Sequence, residues 1–391
     1  MNNVPLVTVI VPAYNAENFI EKCIVQLKNQ TFNRWGCIIV NDGSSDHTSS
    51  KIKEGIKNDA RFKIIEHDHN KGLSEARNTG LDNSNSKYVI FLDCDDIFND
   101  RLLEALVDRA EKLKSQIVAS NFMEHKIKKD FLFESMINFK LPRNNFIFLD
   151  EVKKKSNFEI LSNVVWNKLY LRKYLIDNNF RFNSFLRRAE DLEFNIRVLS
   201  SSNRVSYVDE PLITYITELP NSNQSTISSY PEAIINSLDS IREYFSDNKI
   251  LDKYSEELAI LFCDHFTANM INYSYDALNI FLSEITKKTE IINIMESHEV
   301  YPEDKFRAAI IAAISSGKIS DITDKIKLYL INEKNEFLKR IPPLEQRIKL
   351  ELAEIDRLRR DNSKYIHPTW RLLLSMNYRY IRRAISSTLR N

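Results

Sequence analysis

Three carboxylates stand within four positions at Asp93-Cys94-Asp95-Asp96, directly after the apolar run Tyr88-Val89-Ile90-Phe91-Leu92. Like charges this close oppose one another's ionisation unless a cation neutralises them. Oxygen-only donors select hard divalent ions such as Mg²⁺ or Mn²⁺. Mg²⁺ takes one or two carboxylates and leaves its other positions to water and phosphate oxygens. The acids therefore point to a metal shared with a phosphorylated ligand, and a nucleotide diphosphate fits most directly.

The elements that must deliver these acids are legible as a repeat. "LVTVIVP", "WGCIIV", "FKIIEH" and "YVIFLD" read as buried strands, and helix-patterned segments alternate with them: "AENFIEKCIVQLKNQ", "SDHTSSKIKEGIKN" and "LSEARNTGLDNS". "DRLLEALVDRAEKLKS" and "QIVAS" continue the series. Such repeated βα units imply a mainly parallel, doubly wound sheet, whose ligands gather beyond the carboxyl ends of its strands. Those ends carry Pro12-Ala13-Tyr14-Asn15, Asn41-Asp42-Gly43-Ser44-Ser45-Asp46 and the acidic block, so all three converge on one rim. A tyrosine ring at Tyr14 can stack on a base, Asp42 can accept from base or ribose groups, and Pro12 and Asn15 stand beside them. Gly72 and Arg77 in "NKGLSEARN" can approach the phosphates, together with Lys71, although Arg77 serves equally well as a buttress for the acidic loop. Helix capping and turn formation account for Ser44 to Asp46. They do not account for Tyr14 beside Asn15, or for three acids after the fourth strand.

Composition bounds the rest. The 391 residues carry a formal net charge of +1, which gives no bias toward nucleic acid. Five of the six glycines (Gly36, Gly43, Gly55, Gly72 and Gly80) fall in the first eighty residues, so close backbone approaches cluster where a ligand is expected. Cys23, Cys37, Cys94 and Cys263 are widely spaced, which predicts reduced thiols in a cytosolic protein. His67-Asp68-His69 reads as a solvated loop. "MNNVPLVTVIVPAYN" lacks the basic and long apolar regions of a signal peptide, and no run of about 18 apolar residues occurs.

Beyond residue 122 the pattern loosens, with one clear helix from Glu190 to about Ser201 and two short strands near Arg204–Val208 and Leu212–Ile216. The expected organisation is a sheet domain over 1–228, an all-helical domain over 229–333 and a helical remainder over 334–391. Ile341, Ile348 and Ile355 recur every seven residues. A short coiled coil, and with it a homodimer through 337–360, stands against packing back on the helical domain. Residues 369–391 hold Arg371, Arg379, Arg382, Arg383 and Arg390 and no acid, interleaved with Trp370, Tyr378 and Tyr380. A basic amphipathic helix of this kind suits an anionic membrane surface, so the expected location is cytoplasmic, on the inner face of the cell membrane. Docking on the protein is the alternative.

Taken together, "VTVIVPAYNAENFIEKCIVQLKNQTF", "IIVNDGSSDHT", "NKGLSEARNTGL" and "YVIFLDCDDIF" resemble the GT-A-fold family 2 glycosyltransferases, over residues 5 to about 216. The resemblance implies a Rossmann-like α/β fold, a nucleotide-sugar donor (UDP by the family's habit) and an inverting transfer to a hydroxyl of a glycan or lipid-linked acceptor in bacterial surface polysaccharide synthesis. The base would sit near Pro12, Tyr14 and Asp42, while Asp93, Asp95 and Asp96 would hold the metal and ribose-diphosphate. "RRAEDLEF" matches the family's Glu-Asp motif, which implies Asp191 as the base that activates the acceptor and Glu190 as its orienting neighbour. Capping of the helix by this pair is the structural alternative. "VVWNKLYLRKYL" also matches bacterial members and implies Trp166 and Lys168 in the acceptor groove, against a core role for the indole. The QxxRW motif of processive synthases is absent after Asp191, which disfavours polymer extrusion. "TWRLLLSMNYRYIRR" loosely resembles a tail of capsule and lipopolysaccharide enzymes.

Three other readings compete with this one. A haloacid-dehalogenase-type phosphatase would use Asp93 as nucleophile, but three βα units precede the motif here. A non-catalytic sugar-nucleotide scaffold has no reason to retain both the acids and Asp191. A sugar-1-phosphate nucleotidyltransferase would need a basic, glycine-rich N-terminal loop, and "VIVPAYNAENF" offers none.

Overall fold

In the computed structural model, the described residues are 4–126, 131–133, 146–147, 164–217, 230–273, 275–298, 311, 312 and 314. The heptad segment 337–360 and the basic segment 369–391 lie outside them, as does the boundary expected at 228. Residues 1–319 form one compact unit.

The first half alternates as its periodicity predicts: β1 (Val7–Ala13), α1 (Ile20–Lys28), β2 (Trp35–Asn41), α2 (Thr48–Ile56), β3 (Phe62–Glu66), α3 (Leu73–Asp82) and β4 (Tyr88–Phe91). A short β5 (Ile97–Phe98), α4 (Leu102–Leu113) and β6 (Ile117–Lys126) follow. After the two small strands β7 (Phe131–Phe133) and β8 (Phe146–Ile147) come β9 (Lys168–Leu171), α5 (Arg172–Asp177), α6 (Glu190–Ser201) and β10 (Val205–Thr217). The sheet runs β3-β2-β1-β4-β9-β6-β10-β5, with β7 on β6 and β8 on β10. β3, β2, β1 and β4 are mutually parallel, and β9 enters antiparallel between β4 and β6. This is the mainly parallel α/β sheet that the βα repeats imply, with β9 and the short β5, β7 and β8 running the other way.

Every residue of β1 is buried, as a strand covered by helices on both faces requires. Gly80 shows how close that cover lies: a Cβ there would stand 2.3 Å from Ile10 Cγ2, so α3 rests directly on β1. The two strands expected near 204–216 are one strand. β10 pairs along β6 with register shifts between Val208 and Pro211 and between Pro211 and Ile213. Pro211 has no N–H to give the ladder, so the pairing breaks locally into a bulge and resumes. Asn121 Nδ2 fills the gap by donating to the Asp209 carbonyl and to Asp209 Oδ1, both at 2.9 Å.

The helices α7 (Ala233–Asp247), α8 (Ser255–Asn272), α9 (Tyr275–Ile285) and α10 (Thr289–Glu296) follow. α7 packs on α6. Ser237 Oγ donates to the Ala189 carbonyl at 2.8 Å, and Ser240 Oγ to Glu193 Oε1 at 2.9 Å. The helical region thus grips the start of α6, where Glu190 and Asp191 sit.

Candidate active site

The rim is assembled by loop-to-loop hydrogen bonds. Asn15 takes a left-handed φ of 48° at the end of β1. Its N–H donates to Ser44 Oγ at 2.9 Å and its Oδ1 accepts from the Ser45 N–H at 3.0 Å, so it stitches two strand ends together. Asp46 turns back to accept from the Thr48 N–H and hydroxyl. Pro12 is buried, and Tyr14 is half exposed at the edge.

Asp42 is buried and fully engaged. Its Oδ1 accepts from His67 Nδ1 at 2.6 Å and the Lys71 N–H at 2.9 Å, and its Oδ2 from the Gly72 N–H at 2.8 Å. The other ring nitrogen, Nε2, faces Thr79 Oγ1 at 3.0 Å. Gly43, at φ 67°, lets this clasp close: a Cβ there would meet the His69 carbonyl carbon at 2.4 Å. His67 is therefore not the solvated residue its neighbours suggest. Asp68 and His69 are exposed, whereas the His67 side chain is 6% exposed.

Arg77 is the centre of the site. It is 2% exposed, donates from Nη1 to Glu190 Oε1 at 2.9 Å and from Nη2 to Asp93 Oδ1 at 3.0 Å, and lies 5.2 Å over the Phe182 ring. Burial works against its charge, but Asp93, Glu190 and Asp191 outweigh that and hold its pKa above the ordinary value. Both forks are spent on carboxylates. This corrects the expectation of Arg77 on the donor phosphates and supports the buttress reading.

The three acids differ. Asp93 and Asp95 are partly exposed at the rim, whereas Asp96 is 1% exposed. Asp96 turns inward, its Oδ1 accepting from the Ile216 N–H at 3.0 Å, and its Oδ2 is buried without a partner. Burial and then the Asp93 charge push Asp95 up to about 6. Burial, then Asp93 and Asp95, push Asp96 well above the carboxylate range. No group of three or more His, Cys, Asp or Glu side chains poised for a metal occurs among the described residues. A set of two rim carboxylates still fits Mg²⁺ or Mn²⁺ completed by phosphate oxygens, and their mutual repulsion is what such a cation relieves.

Across the cleft, α6 begins after Ala189, which is left-handed at φ 53°. Glu190 points to Arg77, while among the described residues Asp191 Oδ1 accepts only its neighbour's N–H, from Leu192 at 2.8 Å. Burial first, then the adjacent Glu190, raise Asp191 to about 7, against the pull of Arg77. A carboxylate with that affinity is matched to proton transfer near neutrality.

Trp166 and Lys168 lie inside the protein. Trp166 is 3% exposed, stacked on Tyr215 with ring centroids 5.0 Å apart and edge-on to Phe122. Lys168 is fully buried, its Nζ donating to the Val164 carbonyl and to Asn167 Oδ1. Burial lowers it to about 7, with Asp191 opposing. Neither lines an open groove among the described residues.

A family model described as "Glycosyl transferase family 2" matches residues 8–178. The uncharacterized glycosyltransferase EpsJ of Bacillus subtilis is 34% identical over 222 residues, which is 56% of this chain and 63% of that protein. The UDP-Glc:alpha-D-GlcNAc-diphosphoundecaprenol beta-1,3-glucosyltransferase WfgD of Escherichia coli is 34% identical over 117 residues, 30% of this chain and 46% of that protein. The chain thus spans less than two thirds of either relative. Among solved structures, S. aureus TarS 1–349 in complex with UDP-GlcNAc superposes with a TM-score of 0.63 at 20% identity, covering 83% of this chain and 92% of that one. That likeness is one of fold.

Proposed function

The chain carries a family 2 glycosyltransferase domain of GT-A fold, and from that premise we propose that it moves a sugar from a UDP-sugar to a hydroxyl of a glycan or lipid-linked acceptor, with inversion. One observation carries this reading: Arg77 binds Asp93 and Glu190 simultaneously, which fixes the acidic rim against the start of the helix bearing Asp191. The ribose-diphosphate would lie at the rim and the acceptor hydroxyl at Asp191.

Asp191 accepts the hydroxyl proton as the acceptor oxygen bonds to the sugar's anomeric carbon. The bond from that carbon to the diphosphate breaks on the opposite face, which inverts the centre. Arg77 acts through its two partners, holding Asp93 and Glu190 in register. A Mg²⁺ or Mn²⁺ ion held by Asp93 and Asp95 would supply charge neutralisation for the leaving diphosphate; Asp96, turned inward, would support the loop. Tyr14 and the Asp42–His67 clasp frame the base side.

A lipid-linked acceptor is supported by the name of WfgD, which acts on a diphosphoundecaprenol-linked sugar. Membrane attachment through 369–391 and pairing through 337–360 are supported by sequence pattern. No helix among the described residues is long and apolar enough to cross a membrane.

The test is a panel of UDP-, GDP- and dTDP-sugars with Mn²⁺, read as nucleotide release with and without acceptor glycosides. UDP-sugar turnover that chelator abolishes is the expected result. Turnover indifferent to chelator overturns the metal assignment, and no turnover or binding of any donor overturns the function.

A further inference from the structure

Phe185 is 95% exposed, the largest exposure among the big apolar side chains described. Its loop is nonetheless held firmly. Asn183 Oδ1 accepts from the Phe185 N–H at 3.0 Å, and the Asn183 carbonyl accepts from the Leu186 N–H at 3.1 Å. Upstream, Asn78 pins Phe182 through two 2.9 Å bonds, to its carbonyl and from its N–H. Downstream, Ser237 of α7 holds the Ala189 carbonyl. Backbone anchored on both sides thus presents this one ring to solvent.

Beside that ring opens a cavity of about 180 Å³ whose walls include Phe185, Arg187, Tyr230, Glu232 and Asn236. Arg188 stands 5.5 Å over the Tyr230 ring. Drug-sized ligands occupy sites of ~300–1,000 Å³, so this one suits a single small ring. Its walls combine two aromatic rings with a guanidinium, a carboxylate and an amide, which is the mixture a pyranose needs for its C–H faces and its hydroxyls. Its position is equally specific. Phe185–Arg187 lies three to five residues before Glu190, and Asn236 precedes the Ser237 that grips Ala189.

We propose that Phe185, Arg187, Tyr230 and Asn236 form the subsite for a sugar ring of the acceptor, delivering its hydroxyl to Asp191. This rests on the glycosyl-transfer reading and names where that transfer selects its acceptor. It also replaces Trp166 and Lys168, which are buried, as the acceptor contacts.

The experiment is saturation-transfer NMR on the full chain loaded with UDP and diamagnetic Mg²⁺, using methyl β-glucoside, β-galactoside and N-acetyl-β-glucosaminide as probes. At least one glycoside receives saturation from wild-type protein. Phe185→Ala and Asn236→Ala each lose that signal while UDP affinity by calorimetry and the thermal midpoint stay unchanged, because Phe185 contributes almost nothing to the core. With an acceptor in hand, Phe185→Ala raises its KM ~10-fold with kcat nearly kept. An undiminished signal in both variants overturns the subsite, as does the absence of signal from every glycoside on UDP-loaded wild type. Failure of UDP itself to bind is a separate result, and it strikes the glycosyl-transfer reading.

Discussion

Arg77 Nη1 reaches Glu190 Oε1 at 2.9 Å across 113 residues of chain, while its Nη2 holds Asp93. The acidic rim and the start of α6 therefore share one buried cation. Removing one partner of a buried ionic group leaves the others uncompensated, at a cost of roughly 3–5 kcal/mol. Arg77→Ala should lose about that much in chemical unfolding, with donor turnover lost as well. Arg77→Lys keeps the charge but has no planar fork to span two carboxylates, so it should recover part of the stability and little of the activity. A stability loss below ~1 kcal/mol in Arg77→Ala would show that the bridge is not what joins the two halves.

Asp191 gives the pH profile its sign. A base works only when deprotonated, and burial with the neighbouring Glu190 raises this one to about 7. kcat/KM should therefore climb as pH rises through neutrality and level off above it. Asp191→Asn should lower kcat by ~10²–10⁴ and leave UDP affinity within a few-fold. A wild-type profile that is level from acid to neutral pH, or an Asn variant with full turnover, removes Asp191 as the base.

How much of this the sequence carried depends on the range of the interaction. β1 to β4 and the helices between them follow from local periodicity, and the acids at 93–96 announce themselves by crowding. The Glu190 helix start is legible for the same reason. Arg77 was ambiguous because its two partners lie 16 and 113 residues away; only the fold decides between phosphate and buttress. His67 was misread because its sequence neighbours Asp68 and His69 are solvated, while its own ring turns under to Asp42, 25 residues back. β10 was split in two by Pro211, which breaks the hydrophobic pattern without ending the strand. Phe185 carried no sequence signal at all, since one phenylalanine among 22 says nothing of its exposure.

Asp95 couples the site to stability. Its folded pKa, about 6, lies above the ordinary value of about 3.9. A raised carboxylate favours the folded state below the unfolded pKa, and that contribution is lost as pH rises through the folded one. Asp95→Asn should therefore raise the thermal midpoint of the ligand-free protein at pH 7.5, with the gain shrinking toward pH 4. Mn²⁺ with UDP should stabilise wild type at pH 7.5 more than it stabilises the variant. Equal stabilisation of both would take Asp95 out of the metal and diphosphate site.

The clasp on Asp42 makes the last prediction. His67 supplies one of three donors to a buried carboxylate and rests its other nitrogen on Thr79, so it positions the 67–72 loop, on the side proposed for the donor's base. A hydrogen bond to a charged group is worth about 1.5–3 kcal/mol, and part of that should appear in donor binding. His67→Ala should weaken UDP ~10-fold or more by calorimetry, with kcat at saturating donor within about threefold, because the ring touches neither Asp191 nor the acids at 93 and 95. His67→Asn retains a short donor and should restore part of the affinity, a rescue that loss of general stability would not show. Unchanged UDP affinity in His67→Ala, or a fall in kcat alone, would mean that the clasp does not shape the nucleotide site.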